Sequence, residues 1–256
     1  MSIFPRVIPI LLVSDGYLVK PVKFTGGQYI GDPINAVRIF NEKQVDELLI
    51  CDIDASVRGA GPNFRLIEEI ASEAFMPVGY GGGVTNVDDA RRIISIGVEK
   101  VCINSAAAVN PRIVSDIAGA LGSSSTVVSI DTKRRRLGGW DTYALRGRDR
   151  TGLSPVEMAT RARDLGAGEL LLSSIDREGT RSGYDLRLIE AVTSAVSIPV
   201  IAHGGAGSFS DFAPALDAGA AAVAAGTMFV LNGKHRAVLI SYPTPHEVGT
   251  LPTQET

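Results

Sequence analysis

The chain has 256 residues, with 25 Lys+Arg against 28 Asp+Glu and three His, for a formal charge of -3. That length can bury one sizeable core, and the near balance of charge removes any general attraction to nucleic acid or to an anionic membrane. No stretch reaches the roughly 18 apolar residues that cross a bilayer, and "MSIFPRVIPILLVSDG" enters a strand pattern without a signal-peptide cleavage region, so a cytoplasmic protein is expected.

In chain order, short apolar runs stand near residues 6–13, 47–53, 76–82, 100–105, 125–131, 169–176, 198–204 and 221–227. Amphipathic or Ala-rich segments of helical length separate them, giving eight strand–helix units. Eight parallel strands with connecting helices close most simply as a single (β/α)8 TIM barrel over residues 1–256. An open doubly wound sheet is the alternative, but no strand runs into a convincing G-x-G-x-x-G. In "GYGGGVT" (Gly79 to Thr85) the glycines sit on the strand tip, and the helix begins only at Asn86. Cys51 and Cys102 lie inside apolar runs and read as buried free thiols rather than a disulfide or a metal pair. No metal site is expected: the three histidines do not converge with other ligands in the sequence.

An internal repeat supports the barrel. "PVGYGGGVTNVDDARRIISIGVEKV" (Pro77 to Val101) aligns with "PVIAHGGAGSFSDFAPALDAGAAAV" (Pro199 to Val223) at a displacement of 122 residues. The tips "CDID" and "SSID" keep the same displacement, so consecutive structural units are duplicated. Two similar half-barrels follow, of about residues 1–124 and 125–256, meeting near "GSSS".

Barrel ligands sit at the carboxyl ends of the strands, where glycines and helix N-termini free backbone N–H groups for anions. "GGGV" (Gly81 to Val84) with "NSAA" (Asn104 to Ala107) offers one such cradle, and "HGGAG" (His203 to Gly207) with "GTMF" (Gly226 to Phe229) a second. Glycine pairs also serve merely to allow tight strand–helix turns. That reading leaves unexplained why Ser105 and Thr227 occupy duplicated positions. Two opposed cradles fit a long substrate with a phosphate at each end. His203, on the mouth side of the seventh strand, is either a ligand contact or a hydrogen-bonded structural residue.

Carboxylates cluster at the same end. Asp131 is expected at the end of strand five, Asp52 and Asp54 at the end of strand two, and Asp176 at the end of strand six. Asp131 is the first candidate for an acid or base, because it continues the period of the core-facing residues of its strand. Asp52 and Asp176 either share that role or cap loops. "REGTRSGYD" (Arg177 to Asp185) reads as a ligand rim able to close over a phosphate, or as a solvated loop. At the opposite end, Arg6, Glu47, Lys100 and Glu169 begin strands one, two, four and six. They either face solvent or turn inward as a ring of two bases and two acids, since buried charges require such pairing.

These residues resemble the cyclase subunit of imidazole glycerol phosphate synthase from Arg6 to about Phe229. The specific stretches are "DGYLVK", "DELLICDIDAS", "EKVCINSAA", "SIDTKR", "GAGELLLSSIDREGTRSGYD" and "HGGAG". The resemblance implies a (β/α)8 barrel that takes ammonia from a HisH-like glutaminase partner through its lower opening, with no further cofactor. Ammonia then reacts at the upper face with a bis-phosphorylated ribulose substrate. It further implies a gate of Arg6, Glu47, Lys100 and Glu169, and a phosphate site at Gly83, Asn104 and Ser105. A second phosphate site falls at Gly179, Gly205, Gly226 and Thr227, and Asp131 is one of two catalytic aspartates.

The sequence departs from that pattern at the mouth: Leu12 stands where the other aspartate is expected, Ser14 replaces a lysine, and His203 replaces a small serine. "YIGDPINAVRIFNEKQVDELL" (Tyr29 to Leu49) resembles relatives associated with sugar amidotransferases. These convert an N-acyl group of a surface-polysaccharide precursor into an acetamidino group. The expected function is therefore an ammonia-conducting barrel for such a system. The alternatives are an ordinary histidine-pathway cyclase, with Asp54 standing in for the missing acid, and a non-enzymatic phospholigand-binding scaffold.

Overall fold

The computed structural model describes residues 5–253. Its main strands are β1 (Arg6–Ser14), β2 (Leu48–Asp52), β3 (Val78–Gly81), β4 (Lys100–Ile103), β5 (Thr126–Arg134), β6 (Glu169–Ser174), β7 (Val200–His203) and β8 (Ala222–Ala225). Each pairs in parallel with the next, and β8 returns to β1 from Arg6↔Ala222 to Pro9↔Ala225, so the sheet has no free edge. Helices α1 (Pro33–Glu42), α2 (Phe64–Glu73), α3 (Val87–Ser95), α4 (Arg112–Leu121), α5 (Pro155–Asp164), α6 (Leu186–Thr193) and α7 (Phe212–Asp217) follow the first seven strands. The fold is a (β/α)8 TIM barrel, and the β8–β1 pairing removes the open-sheet alternative. The last unit is abbreviated: β8 leads to one helical turn, Thr227–Val230, in place of a full helix.

Local chemistry sets these elements. Ser154 and Glu157 form a reciprocal capping box with Pro155 in the first turn of α5, and the side chains of Asp32, Asn63, Asn86 and Asp185 cap α1, α2, α3 and α6. The strands carry apolar residues on both faces because both are covered. On β1, Val7, Leu11 and Val13 join the shell between strands and helices, while Ile8, Ile10 and Leu12 join Leu49, Val127, Leu171 and Ile201 inside the barrel. The same parity turns Arg6 inward below Ile8.

Three antiparallel additions decorate the strands. Tyr17–Val22 folds back on β1 and pairs with Thr25–Gly31; Trp140–Ala144 pairs with the far end of β5; Leu231–Asn232 pairs with Ala237–Val238. They correct several expected ends. β5 continues three residues past Asp131 because Trp140–Ala144 supplies ladder partners, with Asp131 opposite Tyr143. β6 stops at Ser174, which leaves Asp176 in the following turn, and β4 stops at Ile103, so Ser105 opens a short helix. No helix among the described residues is long and apolar enough to cross a membrane.

Candidate active site

The strand starts bring four charges together at the amino-terminal end of the barrel. Arg6 is ion-paired to both Glu47 and Glu169, and Lys100 Nζ lies 3.0 Å from Glu47 Oε2 and 2.8 Å from Glu169 Oε2. Signs alternate around a closed ring, so the solvent-facing alternative does not describe these residues. Both glutamates are buried, and the two cations are partly exposed. Burial by itself lowers the pKa of Arg6, but the hydrogen bonds and charges of Glu169 and Glu47 outweigh it and the net shift is upward.

At the other end a cavity of about 130 Å³ is lined by Leu12, Cys51, Cys102, Asp131, Ser173 and His203, together with Gly83, Asn104 and Ser105. Asp131 is buried, with Ser129 Oγ donating to Oδ1 at 3.2 Å. Burial pushes its carboxyl up to about 7; the hydroxyls of Ser129 and Ser173 oppose that shift, and the charge of Glu178 adds to it. A carboxyl tuned to this range can take or give a proton at neutral pH. Cys51 and Cys102 are free thiols, each raised by burial, Cys51 to about 12, so neither is a thiolate at neutral pH.

His203 is buried, and a 2.9 Å hydrogen bond links its Nδ1 and Ser173 Oγ. Its Nε2 lies 3.3 Å from Glu178 Oε2, off the line of a hydrogen bond. Glu178 is ion-paired to Lys20, which reaches it from the Tyr17–Val22 strand, and both are buried. Burial drives His203 downward, against the attraction of Glu178; Glu178 overcomes its own burial through Lys20 and His203 and is held below its ordinary range. Lys20 ends the "DGYLVK" motif and Glu178 lies within the loop singled out for its glycines, yet neither stands out as a site residue in the sequence.

The other carboxylates are committed locally. Asp52 Oδ1 accepts from the backbone N–H groups of Asp54 and Ala55 at 3.0 Å each, which caps the turn after β2. Burial nevertheless raises its pKa, against those two bonds. Asp54 accepts from Ser14 Oγ at 2.5 Å and Arg146 Nη1 at 2.7 Å, so it is a neutralised partner rather than a free replacement for the missing aspartate. Asp176 is exposed and accepts from Arg134 N at 2.7 Å, a loop brace outside the cavity.

The first expected cradle opens into the cavity. Gly83 has φ 73°, and a Cβ there would stand 2.7 Å from Ala60 O, so a side chain is excluded on both counts. Asn104 Nδ2 bonds Ser129 O at 3.0 Å, and Ser105 Oγ accepts from Leu145 N at 3.0 Å. Their side chains therefore brace the fold, and Gly83 N donates to Ser56 Oγ at 3.4 Å. Gly179, Gly205, Gly226 and Thr227 do not line this cavity. On their side Thr227 Oγ1 is buried without a partner, as are Arg181 Nε and Arg236 Nη2. Arg181 donates to Gly233 O and Leu231 O, and Arg236 Nη1 to Gly179 O at 3.3 Å. Among the described residues neither guanidinium has a carboxylate in ion-pair range.

With this geometry in view, a family model described as "Histidine biosynthesis protein" matches residues 6–236. The chain belongs to that family. It is 50% identical over 239 residues to a putative imidazole glycerol phosphate synthase subunit hisF2 of Pseudomonas aeruginosa, with 93% of this chain and 95% of the relative covered. It is 48% identical over 241 residues to a putative HisF subunit of Leptospira interrogans, with the same shares covered. A HisF subunit of Alkaliphilus metalliredigens is 43% identical over 228 residues, covering 89% of this chain and 90% of the relative. Family membership thus makes this a HisF-like barrel.

Proposed function

We propose that this chain is the ammonia-accepting barrel subunit of a glutamine amidotransferase of the imidazole glycerol phosphate synthase type. A HisH-like glutaminase docks around Arg6, Glu47, Lys100 and Glu169, ammonia passes the ring, and a phosphorylated acceptor reacts at the Asp131 end. The observation that carries this reading is the ring itself. Arg6 bridges both glutamates, so Lys100 can swing out without leaving either carboxylate unpaired, and a small polar molecule can pass.

The histidine-pathway cyclase is the acceptor chemistry best supported, through the family and the names of its relatives, and through an acid–base carboxyl near neutrality. Gly83, Asn104 and Ser105 would hold one phosphate of the bis-phosphorylated ribulose substrate, and Gly179, Gly205, Gly226 and Thr227 the other. A second reading, acetamidino modification of a surface-polysaccharide sugar with a sugar amidotransferase, is favoured by one feature: Leu12 packs into the inner apolar cluster where a second carboxylate is expected. The test mixes the purified chain with high ammonia and the ribulose substrate. Cyclase turnover at the level of an ordinary family member supports the first reading and excludes the second. No turnover with that substrate, together with ammonia transfer to an N-acyl sugar when the sugar amidotransferase is added, reverses the order. Glutaminase activation with nitrogen reaching no product would instead make the chain a non-enzymatic phospholigand scaffold.

A further inference from the structure

A line of buried polar side chains runs through the upper barrel, in ion-pair contact but without a hydrogen bond between Glu178 and His203 Nε2. It begins at Lys20, passes to Glu178, then to His203, then through Ser173 to Asp131, and ends at Ser129. Ser173 is the cross-strand partner of both ends that matter: it sits opposite Asp131 on β5 and opposite His203 on β7. Its hydroxyl therefore lies between a carboxylate and an imidazole that are both buried. We propose that Asp131 and His203 share one proton through Ser173, an Asp–Ser–His acid–base pair in place of the two-aspartate site that the family resemblance implies.

The transfer balances without any further reagent. In one state Asp131 is protonated and donates to Ser173 Oγ, Ser173 donates to His203 Nδ1, and His203 is neutral with its proton on Nε2 facing Glu178. In the other state Asp131 has given its proton to Ser173 as Ser173 passes its own to Nδ1; Asp131 is then an anion and His203 an imidazolium against anionic Glu178. No net charge is created, only moved from one side of Ser173 to the other.

The surroundings hold both states within reach. The imidazolium is met by Glu178, whose own charge is balanced by Lys20, and the Asp131 anion is met by the hydroxyls of Ser129 and Ser173. The cavity that Asp131 lines also holds the thiols of Cys51 and Cys102, both neutral, and Asp52 and Arg146 on its wall, Asp52 accepting from two backbone N–H groups and Arg146 paired to Asp54. Burial moves the carboxyl up and the imidazole down, which brings the two affinities for the shared proton together. A family-type serine at 203 could not store a proton; a histidine can. Asp131, Ser173 and His203 all line the cavity, and His203 acts on Asp131 through Ser173 as a positioning residue.

This inference rests on the mouth being the reacting end, but its test needs no acceptor. The full chain, with aspartate carboxyl and histidine ring carbons labelled, is titrated by NMR from pH 5 to 9, Asp131 being assigned by its loss in Asp131→Asn. Asp131 and His203 should each titrate in two steps with shared midpoints. His203→Gln should collapse the Asp131 curve to a single full-amplitude step. Ser173→Ala, which keeps both groups, should give two independent single-step curves and guards against His203→Gln perturbing the fold. A single full-amplitude Asp131 step in the wild type, unmoved by either substitution, would overturn the proposal whatever the chain's acceptor proves to be. Where an acceptor supports turnover, its pH profile should lose one limb in Ser173→Ala.

Discussion

Lys100 Nζ sits 2.8 Å from Glu169 Oε2 and 3.0 Å from Glu47 Oε2, so a single ammonium holds both buried carboxylates of the barrel floor from the side opposite Arg6. Glu169→Ala removes one acid and leaves two cations facing Glu47 alone. With the cations partly exposed, the cost should fall at or below the lower end of the range for broken buried pairs, about 2–3 kcal/mol. Lys100→Ala should cost a similar amount, about 2–3 kcal/mol, because Arg6 still touches both acids but its single charge leaves one buried negative charge uncompensated. Urea midpoints at constant slope measure both. In the complex with the glutaminase, both variants should lower nitrogen recovered in product per glutamine consumed, and phosphate affinity should stay as in the wild type. Coupling unchanged in both variants would remove the case for a gate.

Asp131 gives a pH prediction with a definite sign. Its carboxyl titrates near 7 when folded against an ordinary value of 3.8. Between about pH 4 and 7 the folded chain therefore keeps a proton that the unfolded chain has released. Stability from this group is complete below pH 4 and is lost as pH rises through 7, by up to about 4 kcal/mol at about 1.4 kcal/mol per pH unit. Asp131→Asn keeps the shape and both serine contacts without the ionisation. Its stability relative to wild type should rise steadily from pH 4.5 to 7 and level off above. Parallel urea-derived stability curves for the two proteins across that window would show that Asp131 is not buried with a raised affinity for its proton.

What was legible in the sequence is what depends on the number and order of the strands. Arg6, Glu47, Lys100 and Glu169 were legible as charges at the strand starts but not in their direction, because strands apolar on both faces give no alternation to fix it, whereas the β8–β1 closure follows from eight repeated units. Beyond the strand ends position in the sequence carries less still. Asp176 and Glu178 are two apart in one acidic loop, but β6 ends at Ser174, and the turn sends Asp176 to Arg134 and Glu178 inward to Lys20. The Lys20–Glu178 pair spans 158 residues and exists only because the Tyr17–Val22 hairpin folds over the mouth, a tertiary event without a local signature. Arg236 is similar: the short strand pair after β8 presents it to Gly179, in a region that an eighth helix was expected to occupy.

The unpaired donors near the second cradle predict an anion. Arg181 is lowered by burial and then by its neighbour Arg236, two like charges held together by backbone carbonyls without an acid between them. A phosphate beside Gly179 would give Arg181 Nε and Arg236 Nη2 an acceptor. Arg236→Ala should weaken inorganic phosphate binding about 10-fold at low salt, the size of one charge-assisted hydrogen bond at a partly exposed site, and should flatten its salt dependence. Calorimetric titration of wild type and variant at two ionic strengths decides it. Equal affinities would place the anion elsewhere.

Leu12 is 7% exposed and packs with the inner apolar cluster, paired in register with Cys51 as Asp131 is with Ser173. Leu12→Asp therefore puts a second carboxylate into the same cavity as Asp131. Burial should raise the new acid and cost stability, about 2–4 kcal/mol, since Leu12 packs among apolar side chains. If the loss of this aspartate is what separates the chain from an ordinary cyclase, the variant should gain ammonia-dependent cyclization of the ribulose substrate, within the roughly 10²–10⁴-fold that a positioned acid or base supplies. Ser14 is already engaged by Asp54, and His203 occupies the place of a smaller residue, so a 1 Å misplacement of the substrate would itself hold the gain about 10²-fold below that ceiling. The decisive set is wild type, Leu12→Asp, and Leu12→Asp with Asp131→Asn, at fixed ammonia. Turnover that appears in the second and vanishes in the third shows that the barrel retains the framework for a two-carboxylate site and lacks only its second acid. Strong wild-type turnover that Leu12→Asp leaves unchanged shows instead that one aspartate, with His203 behind it, already suffices.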